Sequence, residues 1–82
     1  MIAKRIEVFM AIQRERQYQE NKRPGRNHSV PAWLLILRKE LAEAEEAWVG
    51  YAGDEAALLE ILQVAAVAVA CLEQHGIVER TP

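Results

Sequence analysis

The chain has 82 residues and a mass of 9.3 kDa, with 51% apolar and 27% charged residues and a net charge of −2. A chain of this size holds one small core and buries only about 60% of the surface that its unfolded form exposes, while its composition excludes disorder, a fibrous repeat and a polycation that coats nucleic acid. The single cysteine, Cys71, excludes an internal disulfide or a cysteine zinc cluster within one chain and suits a reducing compartment. Charge is unevenly placed: residues 1–30 hold seven Lys/Arg and three Glu, and residues 31–82 hold three Lys/Arg and nine Asp/Glu. The opening stretch MIAKRIEVFMAIQRER carries charges every few residues, where a signal peptide needs a continuous apolar run. The longest apolar run, Val64 to Leu72, falls short of the roughly 20 residues that span a bilayer. The expectation is a cytoplasmic protein with no membrane partner.

Three helical stretches and one loop account for the sequence as a single all-α domain over residues 1–82, with no strand-like alternation and no internal repeat. Helix one is expected from Ile2 to Glu20, with Ile2, Ile6, Phe9, Met10 and Gln13 on one stripe. Residues 21–30, NKRPGRNHSV, gather helix breakers and turn formers into a basic loop. Ser29 is placed to cap helix two and Pro31 fits its first turn. That helix should reach about Val49, with Gly50 and Gly53 bracketing a short turn, Asp54 capping helix three and Gly76 ending it. The tail 77–82, closing on Pro82, reads as flexible.

Between Ile61 and Leu72 helix three carries one polar residue, Gln63, so it has no solvent face and needs cover all round. Two partner helices cannot surround a third, and the small residues Ala65, Ala66, Ala68 and Ala70 allow close approach. The predicted architecture is therefore an antiparallel helical bundle of three main helices per chain, completed by a homodimer or higher homo-oligomer.

Helix two contains Glu40, Glu43, Glu45 and Glu46, and turning it by about 100° per residue separates them. Glu40 falls among Trp33, Ile36, Leu37, Ala44 and Ala47, and Glu43 lies at the edge of the same stripe. Glu45 and Glu46 fall with Arg38 and Lys39 on the solvated side. On helix three, Glu60 points between Val67 and Cys71, with Gln63 beside Val67 and Ala70. An isolated ionised carboxylate on an apolar surface costs several kcal/mol unless a cation or hydrogen bonds offset it. A shared cation meets that cost, and three carboxylates with one amide oxygen suit Mg²⁺ or Mn²⁺ better than zinc.

Glu40-x-x-Glu43, sixteen intervening residues and Glu60-x-x-Gln63 resemble the E-x-x-E…E-x-x-D signature of the MazG-like nucleoside triphosphate pyrophosphohydrolases. LRKELAEAEEAW followed by GDEAALLEILQVAAVAVACLE is similar to their two central helices, and RERQ at 14–17 to their first, so the resemblance covers residues 13 to 74. Two positions depart from the pattern: Lys39 stands where many members have a further Glu, and Gln63 where the family has Asp. The neutral amide lowers the charge of the four-ligand set by one. The resemblance implies a Mg²⁺-dependent hydrolase that converts an NTP or dNTP to the monophosphate and pyrophosphate, with Glu40, Glu43, Glu60 and Gln63 holding the metal and the three glutamates catalytic. A second reading is a helical nucleotide-sensing or interaction module that keeps the fold without turnover.

Opposite such a site, the cations Arg14, Arg16, Lys22, Arg23 and Arg26 would hold a triphosphate. Nucleic acid is a poorer partner for this segment, which lacks interleaved aromatics apart from Tyr18. Trp33 is placed either to stack on a base or to pack the core. No nucleophile–base arrangement and no glycine-rich phosphate loop is present, so covalent catalysis is not expected.

Overall fold

The computed structural model describes residues 2–81, with the side chains of residues 51 and 52 outside that description. The described residues form helix α1, Arg5–Lys22, helix α2, Val30–Ala47, a single π-helical turn, Trp48–Ala52, and helix α3, Gly53–His75, with no strand among them. Both α1 and α2 pack on α3, which is the middle element. The all-helical prediction therefore holds, and three boundaries move.

Helix α1 starts at Arg5 rather than Ile2: Lys4, in extended conformation and without a side-chain capping bond, precedes it, and the Lys4 carbonyl accepts the first helical bond from Val8. It continues past Glu20 to Lys22, with the Arg23 N–H still reaching the Gln19 carbonyl at 2.9 Å. Pro24 stops it, because a residue before proline is held away from the helical region, and Arg23 accordingly has φ −137° and ψ 81°. At the start of α2, the Ser29 hydroxyl accepts from the Ala32 N–H at 3.3 Å, with proline in the first turn, as its sequence requires. The turn expected around Gly50 and Gly53 is instead the π-helical turn, which runs into α3 through Gly53 at φ +74°. Asp54 accepts a 2.8 Å bond from the Trp48 indole across that junction. Gly76 ends α3 at φ +95°, a conformation that glycine adopts without strain, and its N–H closes on the Leu72 carbonyl. Residues 77–81 are irregular and exposed, and Pro82 lies outside the described residues.

The core is small. Trp33, Ala44, Ala66, Val67 and Ala70 are buried, and Trp33, Val67 and Ala70 pack together with Ile36, Leu37 and Cys71 against them. The rotation predicted for α2 is correct: Trp33, Ile36, Leu37, Glu40, Glu43 and Ala44 are shielded, while Glu45 and Glu46 are exposed. The stripe predicted for α1 is not. Ile6, Phe9 and Met10 are half or more exposed, and the partly buried positions are Ala11, Ile12, Glu15, Arg16, Gln19 and Glu20. A mostly polar face of α1 therefore meets α3, and the apolar residues Ile6, Val8, Phe9 and Met10 of its first turns stay largely exposed.

Much apolar surface stays open on the other helices too, including Leu34, Leu35 and Leu41 of α2 and Leu58, Leu59 and Leu72 of α3. The accessible surface is 6886 Å², against about 5,000 Å² for a compact monomer of this mass. The radius of gyration is 13.7 Å, against about 12 Å for a compact domain of this length. Helix α3, at 23 residues with a mean hydropathy of 2.0 over its most apolar window, is also long and apolar enough to cross a membrane by length and composition. Counting only the unbroken run Val64 to Leu72 understates its apolar reach.

Candidate metal and phosphate site

The packing of Trp33, Ile36 and Leu37 against Val67 and Ala70 fixes the rotation of α2 on α3, and that rotation leaves Glu40 and Glu43 nowhere to point but inward. Glu60 comes to meet them from α3. One carboxylate oxygen from each of the three lies within 4.8 Å of the others, and all three residues are half-buried. Glu60 Oε2 is shielded from solvent and has no hydrogen-bond partner. A buried acceptor with no donor is costly, and here like charges surround it.

The pKa of the Glu40 carboxyl is raised above the ordinary 4.5. Desolvation by burial is the largest cause, followed by the charges of Glu43 and Glu60, with Arg26 and Lys39 opposing them. A site that raises the proton affinity of one carboxylate and leaves another oxygen without a donor is short of positive charge. The donor set, three hard oxygen anions from two helices, fits Mg²⁺ or Mn²⁺.

Beside the glutamates opens a cavity of about 280 Å³, with Glu40, Gln63 and Val67 along its α2 and α3 walls. Gln63 thus stands one turn from Glu60 at the mouth of the site, and its backbone carbonyl accepts a 3.2 Å bond from the Gln19 side chain. Three basic residues, Lys22, Arg23 and Arg26, line the cavity as well, together with Glu15. Three basic groups in a cavity that Glu40 joins to the carboxylate cluster form an arrangement suited to a polyanion carrying a divalent cation.

Two of the expected phosphate-binding cations are elsewhere. Arg14 lies on another side of α1 beside Met10, Gln13 and Gln17. Arg16 is committed to Glu20 at 2.8 Å and Glu73 at 2.7 Å, tying α1 to α3. Trp33 also leaves the site: it is 0% exposed, its indole N–H bonds Gln74, and its ring is flanked by the His28 edge at 4.9 Å and the Arg26 guanidinium at 5.2 Å. Of the two roles open to it, only core packing remains, because no ring face is free for a base.

Glu15, Tyr18 and Gln19 complete the cavity from α1 and were missed. Their spacing was legible, since Glu15, Tyr18, Gln19 and Lys22 stand at i, i+3, i+4 and i+7 on one helix face. The face is polar throughout, and a polar stripe reads by default as solvated. Comparison with family models, with curated proteins and with solved structures finds no match for this chain.

Proposed function

We propose that the protein is a Mg²⁺-dependent nucleotide pyrophosphohydrolase of the MazG-like type, cleaving an NTP or dNTP to the monophosphate and pyrophosphate. One observation carries the reading: Glu40, Glu43 and Glu60 converge to within 4.8 Å, and Glu40 shares a cavity with Lys22, Arg23 and Arg26. The glutamates would hold Mg²⁺ or Mn²⁺, with the Gln63 amide oxygen as the fourth protein ligand. Bound there, the ion supplies charge neutralisation at the phosphate oxygens and Lewis acidity for attack by water on the α-phosphorus. Lys22, Arg23 and Arg26 bind the β- and γ-phosphates and stabilise the pyrophosphate as the bridging P–O bond breaks. Tyr18, exposed on the cavity wall, takes the base-stacking role that Trp33 cannot fill.

The active form in this reading is a homodimer of antiparallel helical bundles. The bond from Trp33, early in α2, to Gln74, late in α3, supports the antiparallel pairing. The excess of roughly 1,900 Å² over a compact monomer exceeds the roughly 800 Å² per partner that a stable interface needs. It also coincides with the uncovered apolar faces of all three helices.

The test is a pyrophosphate-release assay over a panel of NTPs and dNTPs with Mg²⁺ or Mn²⁺. Stoichiometric monophosphate and pyrophosphate, lost in Glu40→Gln and Glu60→Gln, is the expected result. Nucleotide binding without products would favour the sensing module, in which the neutral Gln63 has ended turnover.

A further inference from the structure

The loop between α1 and α2, residues 23–29, carries Arg23 and Arg26 into the cavity, and it is held by one side chain in particular. Gln74, in the last turn of α3, makes four hydrogen bonds. Its Oε1 accepts from the Trp33 indole at 2.8 Å and from the His28 backbone N–H at 3.1 Å. Its Nε2 donates to Asn27 Oδ1 and to the His28 carbonyl, the latter at 2.8 Å. The neighbouring His75 adds a bond from Nε2 to the same carbonyl at 2.8 Å. At the other end of the loop, Glu20 accepts from the Gly25 N–H at 2.7 Å, and Glu20 is itself held by Arg16.

Only an amide satisfies this set. Two N–H groups point at one end of the Gln74 side chain and two oxygens at the other, so the position needs two acceptor sites and two donors on one planar group. Glutamate would set an anionic oxygen against Asn27 Oδ1 and the His28 carbonyl, and an aliphatic residue would leave all four partners unmet. The same Trp33 ring that Gln74 anchors carries the Arg26 guanidinium over its face. Fixing the indole and residues 27 and 28 therefore also fixes where Arg26 stands relative to Glu40.

The structure assigns Gln74 as a positioning residue that makes loop 23–28 a preformed cradle for a polyphosphate chain. This rests on the phosphate reading of the cavity proposed above. Preorganisation of this kind raises affinity because the loop's ordering is complete before the ligand arrives.

The experiment uses the full chain, Mg²⁺ and inorganic tripolyphosphate in calorimetry, with amide exchange by NMR on the ligand-free protein. In Gln74→Leu, which removes all four bonds, the His28 amide should lose protection while the Gly25 amide, held by Glu20, keeps it. The tripolyphosphate Kd should rise on the order of tenfold, with Mn²⁺ affinity within twofold of wild type. In turnover, KM for nucleotide should rise and kcat stay within about threefold, a split that general loosening of the fold would not give. Asn27→Ala, which deletes a single bond of the set and leaves the core untouched, should shift both readouts in the same direction by less. Wild-type binding of tripolyphosphate that both variants leave unchanged would overturn the positioning role alone. No tripolyphosphate binding by the wild type would overturn the phosphate reading of the cavity, and the cradle with it.

Discussion

Replacing Glu60 by Gln should make the ligand-free protein more stable and insensitive to divalent cations. Two carboxylates with oxygens within 4.8 Å of Glu60 each repel it by about 1 kcal/mol in water-like surroundings, and by about 3.5 kcal/mol at an effective dielectric of 20. The three residues are only half-buried and solvent screens part of that repulsion, so a net gain of about 1–3 kcal/mol is expected for Glu60→Gln without metal. The substituted amide can also donate to Glu40 or Glu43, which the unpartnered Glu60 Oε2 cannot do. For a domain of this size each kcal/mol moves Tm by about 4–8 °C. Wild type should recover a comparable amount when Mg²⁺ is present, about 2.7 kcal/mol at one hundred times its Kd. Melting curves at one protein concentration, with Mg²⁺ at 0 and in excess, give all four values. A variant that melts below wild type without metal, or a Mg²⁺-induced rise of equal size in both proteins, would mean that Glu60 is neither repelled by its neighbours nor a ligand.

The Glu40 shift sets a pH dependence. Its folded-state pKa lies above the ordinary 4.5, so the folded chain holds the proton more tightly and metal-free stability should fall as pH rises from 4.5 through the raised value. Tm against pH checks this, and excess Mg²⁺ or Glu60→Gln should flatten the slope. Glu45→Ala and Glu46→Ala remove exposed carboxylates and should change stability by no more than about 0.5 kcal/mol, with metal affinity unaltered. Trp33→Ala empties the centre of the core and should destabilise by about 3–5 kcal/mol in chemical denaturation. In light scattering the protein should run at twice its 9.3 kDa chain mass, and Ile6→Asp with Phe9→Asp, both on the uncovered half of α1, should weaken that assembly.

What the sequence disclosed was rotational. Turning α2 by its helical period put Glu40 and Glu43 inward and Glu45 and Glu46 outward, and each residue stands so, because Trp33, Ile36 and Leu37 leave one way to pack. Glu60 was equally readable. The contribution of α1 was not: its apolar residues Ile6, Phe9 and Met10 outweigh its polar face in any amphipathic reading, yet the polar face meets α3 and the apolar one lies open. An exposed apolar face carries the same signal in sequence as a core face. The roles of Arg16 and Gln74 depend on partners 57 and 46 residues away, and no local pattern reports such pairings. Trp33 shows the limit from the other side, since its place on the stripe of Glu40 was correct while its depth depended on His28 and Arg26 closing over the ring.

Whether Glu40, Glu43 and Glu60 form a divalent-cation site is decided by Mn²⁺ titration followed by electron paramagnetic resonance. One site per chain is predicted, displaced by Mg²⁺, and lost in Glu40→Gln and in Glu60→Gln while Glu45→Gln keeps it. Absence of bound Mn²⁺ in wild type, or binding that survives both inward substitutions, would contradict the assignment.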